Sequence, residues 1–424
     1  MPTSVSTRTP GPTIHPDPCT PGVARARVAS SALRAGPVGA VGLELEAHLV
    51  DLERPATRVA WERVTAAVAA LPPLPGASLV TLEPGGQVEL SGPPQADVTA
   101  AVAALRADDA VLRASLRRDG LGLACLGADP ARPPARVNPG HRYAAMEAYF
   151  GATGNGPAGA AMMTSTASLQ VNLEAGPRAG WTQRVALAHA IGPVLVAVSA
   201  CSPLLAGRET GWRSSRQLVW EDLDRARCGP LLGRAEPGQE WADYALAAPV
   251  MLVRDPLDDV ASPVLTPTPF GAWAAGESPL GGRLPAARDL DYHLTTLFPP
   301  VRLRGFLELR YLDAAPARWW PALAAVTATL LDDPGATAIA WVATEPVAGA
   351  WTRAARLGLA DPQLHRAAVR CLDAAVSFAP PGLRAEVEAL AALTADARCP
   401  GDELLASSRA LGPVGALAEE AGRG

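Results

Sequence analysis

The stretch Thr81–Pro94, TLEPGGQVELSGPP, constrains the fold more than any other part of the chain. Two acids, Glu83 and Glu89, flank a Pro-Gly-Gly turn. A strand-like run, SLVTLE, enters the turn and QVELS leaves it. Pro84 fixes one backbone angle, and Gly85–Gly86 permit positive φ, so the chain can reverse tightly. A hairpin of this kind brings Glu83 and Glu89 together on neighbouring strands. Two carboxylates in an apolar setting repel one another and lose hydration, so they persist only with a cation between them or a shared proton. A divalent-metal site is one reading of the stretch; two exposed hairpin acids is the other.

The same pattern recurs along the chain. Val38–Leu52, VGAVGLELEAHLVDL, alternates as a strand does and puts Glu44 and Glu46 on one face, roughly 6.5–7 Å apart. Thr164–Glu174, TSTASLQVNLE, places Gln170 and Asn172 on one face, and Val301–Asp313, VRLRGFLELRYLD, does the same for Glu308 and Arg310. Leu121–Gly127 reads as another short strand. Val59–Leu71 and Asp97–Arg118 read as helices. In the second, Asp97 caps the start, Val98, Val102, Leu105, Leu112 and Leu116 form the apolar stripe, and Gly120 ends it. Ala144–Phe150 begins a short helix, and GATGNGPAGA, residues 151–160, reads as a linker or a lid. Trp319–Leu393 is mostly Ala-rich helix. These elements predict an α+β chain: one antiparallel sheet whose polar face lines a cavity, with helices on its other face.

At the ends, residues 1–34 are rich in Pro, Thr, Ser and Arg and read as a disordered tail. Residues 35–398 read as a single domain and 399–424 as a polar C-terminal tail. Residues 230–290 are rich in Pro and Gly and give no clear pattern. The opening run lacks the apolar stretch of a signal peptide. Val185–Gly207 is uncharged and of membrane length, but Pro193, Pro203 and His189 point to a buried core helix instead.

Composition excludes several chemistries. All 37 basic residues are Arg, so no Lys Schiff base, nucleotidyl-lysine or P-loop lysine exists in the chain. A net charge of -5 gives no electrostatic ground for binding nucleic acid or an acidic membrane. The six cysteines form no C-x-x-C pair and read as reduced thiols of a cytoplasmic protein. Cys201 reads as a small buried hydrophobe.

Taken together, the strands supply Glu44, Glu46, Glu83, Glu89, Gln170, Asn172, Glu308 and Arg310. Several carboxylates on one concave face are unfavourable without cations, and hard oxygen donors suit Mg²⁺ or Mn²⁺. Mg²⁺ so held completes its shell with water and phosphate oxygens, which points to a nucleotide. Arg310 beside Glu308 suits a phosphoryl group in transfer, although a cross-strand ion pair also explains the two.

The run HRYAAMEAYF, followed by MMTSTASLQVNLE, resembles the plant-type branch of glutamate–cysteine ligase, as do EPGGQVELSGPP, SRQLVWEDLDRARCG and DYHLTTLFPPVRLRGFLELRYLD. The blocks occur in that family's order from about residue 38 to residue 315. The Arg-only, Ala-rich chain is most similar to the actinobacterial branch, which supplies γ-glutamylcysteine for ergothioneine biosynthesis. The resemblance implies a glutamine-synthetase-like catalytic fold, in which a curved antiparallel sheet forms a funnel and helices pack on its outer face. It implies that ATP phosphorylates the γ-carboxylate of L-glutamate and that the amine of L-cysteine attacks the γ-glutamyl phosphate. By position, the metal ligands are Glu44, Glu46, Glu83, Glu89 and Glu308. Gln170 and Asn172 match the QVN block and would orient a metal-bound or phosphate oxygen. Arg310 would stabilise the phosphoryl group, with Glu308 and Asn172 beside it as catalytic residues. Arg142 and Arg216 are candidates for gripping substrate carboxylates.

The chain departs from the family at two places. Ala200-Cys201-Ser202-Pro203 stands where the family has A-N-S-P, and RYLDAAP stands where plants have RGADGGP. Among the histidines, His293 and His141 lie in matching blocks and are candidates for substrate contact or structural hydrogen bonding. His48 and His189 read as packing residues. Two other readings remain open: a ligase of the same superfamily with another amine acceptor, and a non-catalytic homologue. A metal-independent hydrolase with two carboxylates leaves the other acids unexplained.

Overall fold

The computed structural model describes residues 18–231, 233, 235–255 and 260–423. Its centre is a seven-stranded sheet. The strands are β1 (Val41–Asp51), β2 (Leu79–Leu82), β3 (Val88–Ser91), β4 (Leu121–Ala124), β5 (Ser168–Glu174), β6 (Val301–Leu303) and β7 (Phe306–Asp313). Their order is β6-β7-β5-β1-β3-β2, every pairing is antiparallel, and β4 pairs with the far end of β1.

Register explains why the polar residues share a face. Glu44 sits opposite Gln170 on one side and Ser91 on the other, Glu46 opposite Glu89, and Glu308 opposite both Asn172 and Arg302. The alternate residues, among them Leu43, Leu45, Leu90, Leu169, Val171, Leu173, Leu307 and Leu309, are all buried. They pack under the helices Val98–Arg118, Gly192–Ser199 and Trp320–Asp332. Each such side chain contributes about 1.5–3 kcal/mol, and a slip of one residue would exchange the two faces. One extra residue on β7 between Leu309 and Leu312 marks a bulge beside Arg310.

The predicted hairpin is β2–β3, and its two glycines have different reasons. Gly86 adopts φ +82, which an L side chain resists. Gly85 has no room for a side chain, because a Cβ there would lie 2.3 Å from the Thr164 carbonyl oxygen. Gln87 locks the turn. Its Oε1 accepts from Gly85 N–H, and its Nε2 donates to the carbonyls of Met163 and Thr166. The turn is thereby clamped to the chain that enters β5.

Several expectations are corrected. Residues 21–31 are not a tail: Thr20 and Pro21 start a helix, Pro21–Ser31, whose Ala24 and Val28 are buried against the Pro237–Ala247 helix. The first 17 residues lie outside the described residues. The C-terminal segment, Pro400–Gly422, is helical on either side of a kink at Gly412, φ +75, and packs on β4 through its buried apolar residues. Residues 151–160 leave only a short turn between the helices His141–Ala152 and Gly156–Ser165, because small residues do not prevent helix when tertiary packing supplies the energy. Val185–Gly207 is two helices, Trp181–Ala190 and Gly192–Ser199, broken ahead of Pro193. Val301–Asp313 is a hairpin turning at Gly305, φ +82. No helix among the described residues is long and apolar enough to cross a membrane.

Candidate active site

The polar face of the sheet forms one wall of a cavity of about 480 Å³. Glu44 and Glu46 reach it from β1, Glu89 and Ser91 from β3, Glu83 from the hairpin turn, and Ser168 and Gln170 from β5. Facing them are Arg302 and Arg304 from β6 and its turn, Arg310 from β7, Arg216 and Arg142. The remaining wall is apolar and includes Met146, Met162, Met163, Tyr143, Trp220 and Phe298. These side chains belong to, or pack against, a hydrophobic cluster separate from the main core.

The acids are strained by their surroundings. Burial, then the charges of Glu308 and Glu89, push Glu44 up to about 7. Burial raises Glu46 even against Arg216 and Arg310, and it raises Glu83 well above the ordinary carboxylate value, with Glu46 and Glu89 adding to it. Burial and Glu46 raise Glu89. Hydrogen bonds hold the group in place: Ser168 N–H donates to Glu46 at 2.7 Å, Ser91 Oγ to Glu89 at 2.5 Å and Asn172 Nδ2 to Glu44 at 2.9 Å.

Glu308 behaves differently. It is fully buried and accepts from Arg302 Nε at 2.5 Å, Arg302 Nη2 at 2.9 Å, Arg304 Nη1 at 2.9 Å and Arg310 Nη1 at 3.0 Å. Burial opposes its ionisation, but the charges of Arg302 and Arg310 and the hydrogen bonds hold it well below the ordinary range. Both of its oxygens accept from guanidinium groups, and Glu308 organises an arginine cluster. Arg310 also donates to Gln170 Oε1 at 2.5 Å.

Asn172 faces a second cavity of about 630 Å³, which shares Glu44 and Arg304 with the first and is lined also by Phe306, Pro94, Ala96 and Arg34. Arg142 donates to Thr295 and lies 4.8 Å from the centre of the Tyr292 ring. Arg216 donates through Nη2 to the Arg310 carbonyl at 2.6 Å, and its buried Nη1 has no protein partner. His293 is corrected. It is buried away from the cavity, bonded through Nε2 to the Ala245 carbonyl and stacked on Phe270, with burial lowering its pKa to about 3. His141 is exposed. His48 and His189 are core residues bonded to backbone carbonyls. Cys201 is fully buried.

Sequence reasoning missed Arg302, Arg304 and the methionine wall. The signal for the arginines was present: Arg302 lies on the strand paired with Glu308, and Arg304 follows two residues later in the turn. The methionines come from helices whose outward faces periodicity did not resolve.

The donor set fits a hard divalent cation. It consists of four carboxylates whose charged forms are penalised by burial, together with the unpartnered amide oxygen of Asn172 beside Glu44. Among the described residues, no three His, Cys, Asp or Glu side chains converge at ligand distance. The acids therefore share a cavity without forming one coordination point.

An antiparallel sheet carrying acids and arginines over a cavity, with helices behind it, makes an α+β scaffold with one charged cavity. The chain belongs to Glutamate-cysteine ligase family 2 (GCS2), whose profile matches residues 40–420. It is 56% identical over 382 residues to glutamate–cysteine ligase EgtA of Mycolicibacterium smegmatis, covering 90% of each chain. It is 53% identical over 378 residues to EgtA of Mycobacterium tuberculosis, covering 89% of this chain and 88% of that one. The chloroplastic glutamate–cysteine ligase of Arabidopsis thaliana is 32% identical over 66% of this chain and 53% of its own length. A glutamate–cysteine ligase structure from Francisella tularensis, solved with AMP, superposes with a TM-score of 0.53 over 92% of this chain and 88% of that one, at 11% identity, a likeness of fold.

Proposed function

We propose that the chain joins the γ-carboxylate of L-glutamate to the amine of L-cysteine at the expense of ATP, giving γ-glutamylcysteine, ADP and phosphate. One observation carries the reading: in a chain of this family, four half-buried glutamates and five arginines face one another across a single cavity.

A γ-carboxylate oxygen attacks the terminal phosphorus of ATP, and the bond to the ADP oxygen breaks. The cysteine nitrogen then attacks the acyl carbon, phosphate leaves and the amine loses a proton. Arg302, Arg304 and Arg310, fixed by Glu308, stabilise charge on the transferring phosphoryl group. Arg142 and Arg216 hold substrate carboxylates, for which the guanidinium fork is suited. Gln170 keeps Arg310 in place. Glu44, Glu46, Glu83 and Glu89 would hold Mg²⁺, or Mn²⁺. Bound there, the cation would neutralise charge that otherwise keeps the two anionic substrates apart. The second cavity, with its more apolar lining, suits the nucleoside end of ATP, because it meets the first at Glu44 and Arg304.

The wall formed by Met146, Met162, Met163, Trp220 and Phe298 suits a small, soft side chain such as a thiol. This wall favours cysteine over a charged or hydroxylated acceptor. The similarity to the actinobacterial branch supports a role in ergothioneine biosynthesis, and six unpaired cysteines support a reducing, cytoplasmic setting.

The test is ADP release coupled to mass analysis of the product. ADP is expected only when glutamate, an amine acceptor and Mg²⁺ are all present, with cysteine the best acceptor. ADP release indifferent to the acceptor, or unaffected by EDTA, would overturn the reading.

A further inference from the structure

Asp313 ends β7 and is fully buried, with no side chain lining either cavity. Its carboxylate accepts three hydrogen bonds: from Ser202 Oγ at 2.6 Å, from Ser214 Oγ at 2.9 Å and from Cys201 N–H at 2.9 Å. Each hydroxyl passes the connection on. Ser202 Oγ accepts from Arg216 N–H at 3.2 Å, and Ser214 Oγ accepts from Gln217 N–H at 3.2 Å. Gln217 in turn donates to the Tyr311 carbonyl, and Arg216 Nη2 to the Arg310 carbonyl. Space is kept for the acid: a Cβ at Gly127 would lie 2.4 Å from its carboxyl carbon. The segment Cys201–Ser202 therefore faces Asp313 and not the cavity.

An isolated buried carboxylate is costly, and two of the three groups that bond this one, Ser202 and Ser214, are tied to the start of the Ser215–Glu221 helix. That helix carries Arg216, whose side chain lines the cavity and whose buried Nη1 has no protein partner. We propose that Asp313, acting through Ser202 and Ser214, is the positioning residue that aims the free Arg216 nitrogen at the carboxylate of an amino-acid substrate. The proposal rests on the ligase reading above.

The experiment measures ADP release for Asp313→Asn, Ser214→Ala, Arg216→Ala and the double variant Asp313→Asn/Arg216→Ala. Asp313→Asn keeps the shape but replaces one acceptor oxygen with a donor. It is expected to raise KM for glutamate or cysteine about tenfold while KM for ATP stays within twofold, and to add nothing further in the Arg216→Ala background. Ser214→Ala, which removes one of the two relays and not the acid, is expected to shift the same KM by a smaller factor and serves if Asp313→Asn does not fold. Equal loss in kcat and in every KM, or effects of Asp313→Asn and Arg216→Ala that simply multiply, would overturn the proposal. Wild-type protein that shows no acceptor-dependent ADP release would instead overturn the ligase reading itself.

Discussion

At Glu44 the proposed role in catalysis and the needs of folding oppose each other. Burial and the neighbouring acids raise it from the ordinary 4.5 to about 7. Between those values the folded chain holds a proton that the unfolded chain has released, so stability falls as pH rises through the window and levels off above it. Metal-free protein is therefore expected to lose melting temperature between about pH 5 and pH 7, and Mg²⁺ to restore it at neutral pH. Scanning calorimetry with and without EDTA measures both. Glu44→Gln is expected to flatten that slope and stabilise the metal-free protein at neutral pH, yet to lower ADP release by about 10²-fold, in line with losing one preorganised electrostatic group. A variant both less stable and fully active would contradict the assignment. Glu308 supplies the opposite case. Its charge is required by three arginines, so Glu308→Gln is expected to lose activity and stability together, since breaking a buried pair costs about 3–5 kcal/mol. The acids themselves were legible in the sequence, because alternation fixes a strand's faces. The arginine cluster around Glu308 was not, because it depends on which strand pairs with β7.

At the scale of elements, the β2–β3 hairpin does more than reverse the chain. Its turn is pressed against Thr164 and tied by Gln87 to the segment leading into β5. Gly85→Ala is expected to force the two apart and to cost on the order of 1–3 kcal/mol of stability, with a larger fractional loss of activity than its melting temperature implies. Near-normal turnover in that variant would show that the clamp does not set the site. The helices His141–Ala152 and Gly156–Ser165 bring in the methionine wall. Met162→Gln keeps the length of the side chain but makes its end polar. It is expected to reduce the preference for cysteine over serine as acceptor about tenfold, read from competing product masses; an unchanged preference would remove the wall from acceptor choice. Strand alternation revealed the hairpin because one face is polar and the other apolar. The two helices were obscure because their Gly and Ala content carries little periodic signal.

At the scale of the whole molecule, the N-terminal segment lines the second cavity, the one proposed for the nucleotide. The Pro21–Ser31 helix is seated on the Pro237–Ala247 helix, and the chain after it runs alongside the β6–β7 turn. There Gly305 N–H donates to the Ala32 carbonyl, and Arg34 N–H donates to the Gly305 carbonyl. Arg34, Ala35 and Gly36 then line the second cavity opposite Phe306 and Arg304. Composition hid this, because a helix with only Ala24 and Val28 buried has almost no amphipathic signature, and its partner lies about two hundred residues away in the stretch that gave no pattern. Unseating the helix should therefore disturb one substrate more than the others. Val28→Asp places an unpaired charge at a fully buried position of that helix. It leaves the sheet, the four cavity acids and the arginine cluster untouched. KM for ATP is expected to rise about tenfold, while KM for glutamate and for cysteine changes less than twofold. Equal shifts for all three substrates would mean that the segment supports the fold as a whole and does not belong to the nucleotide's cavity.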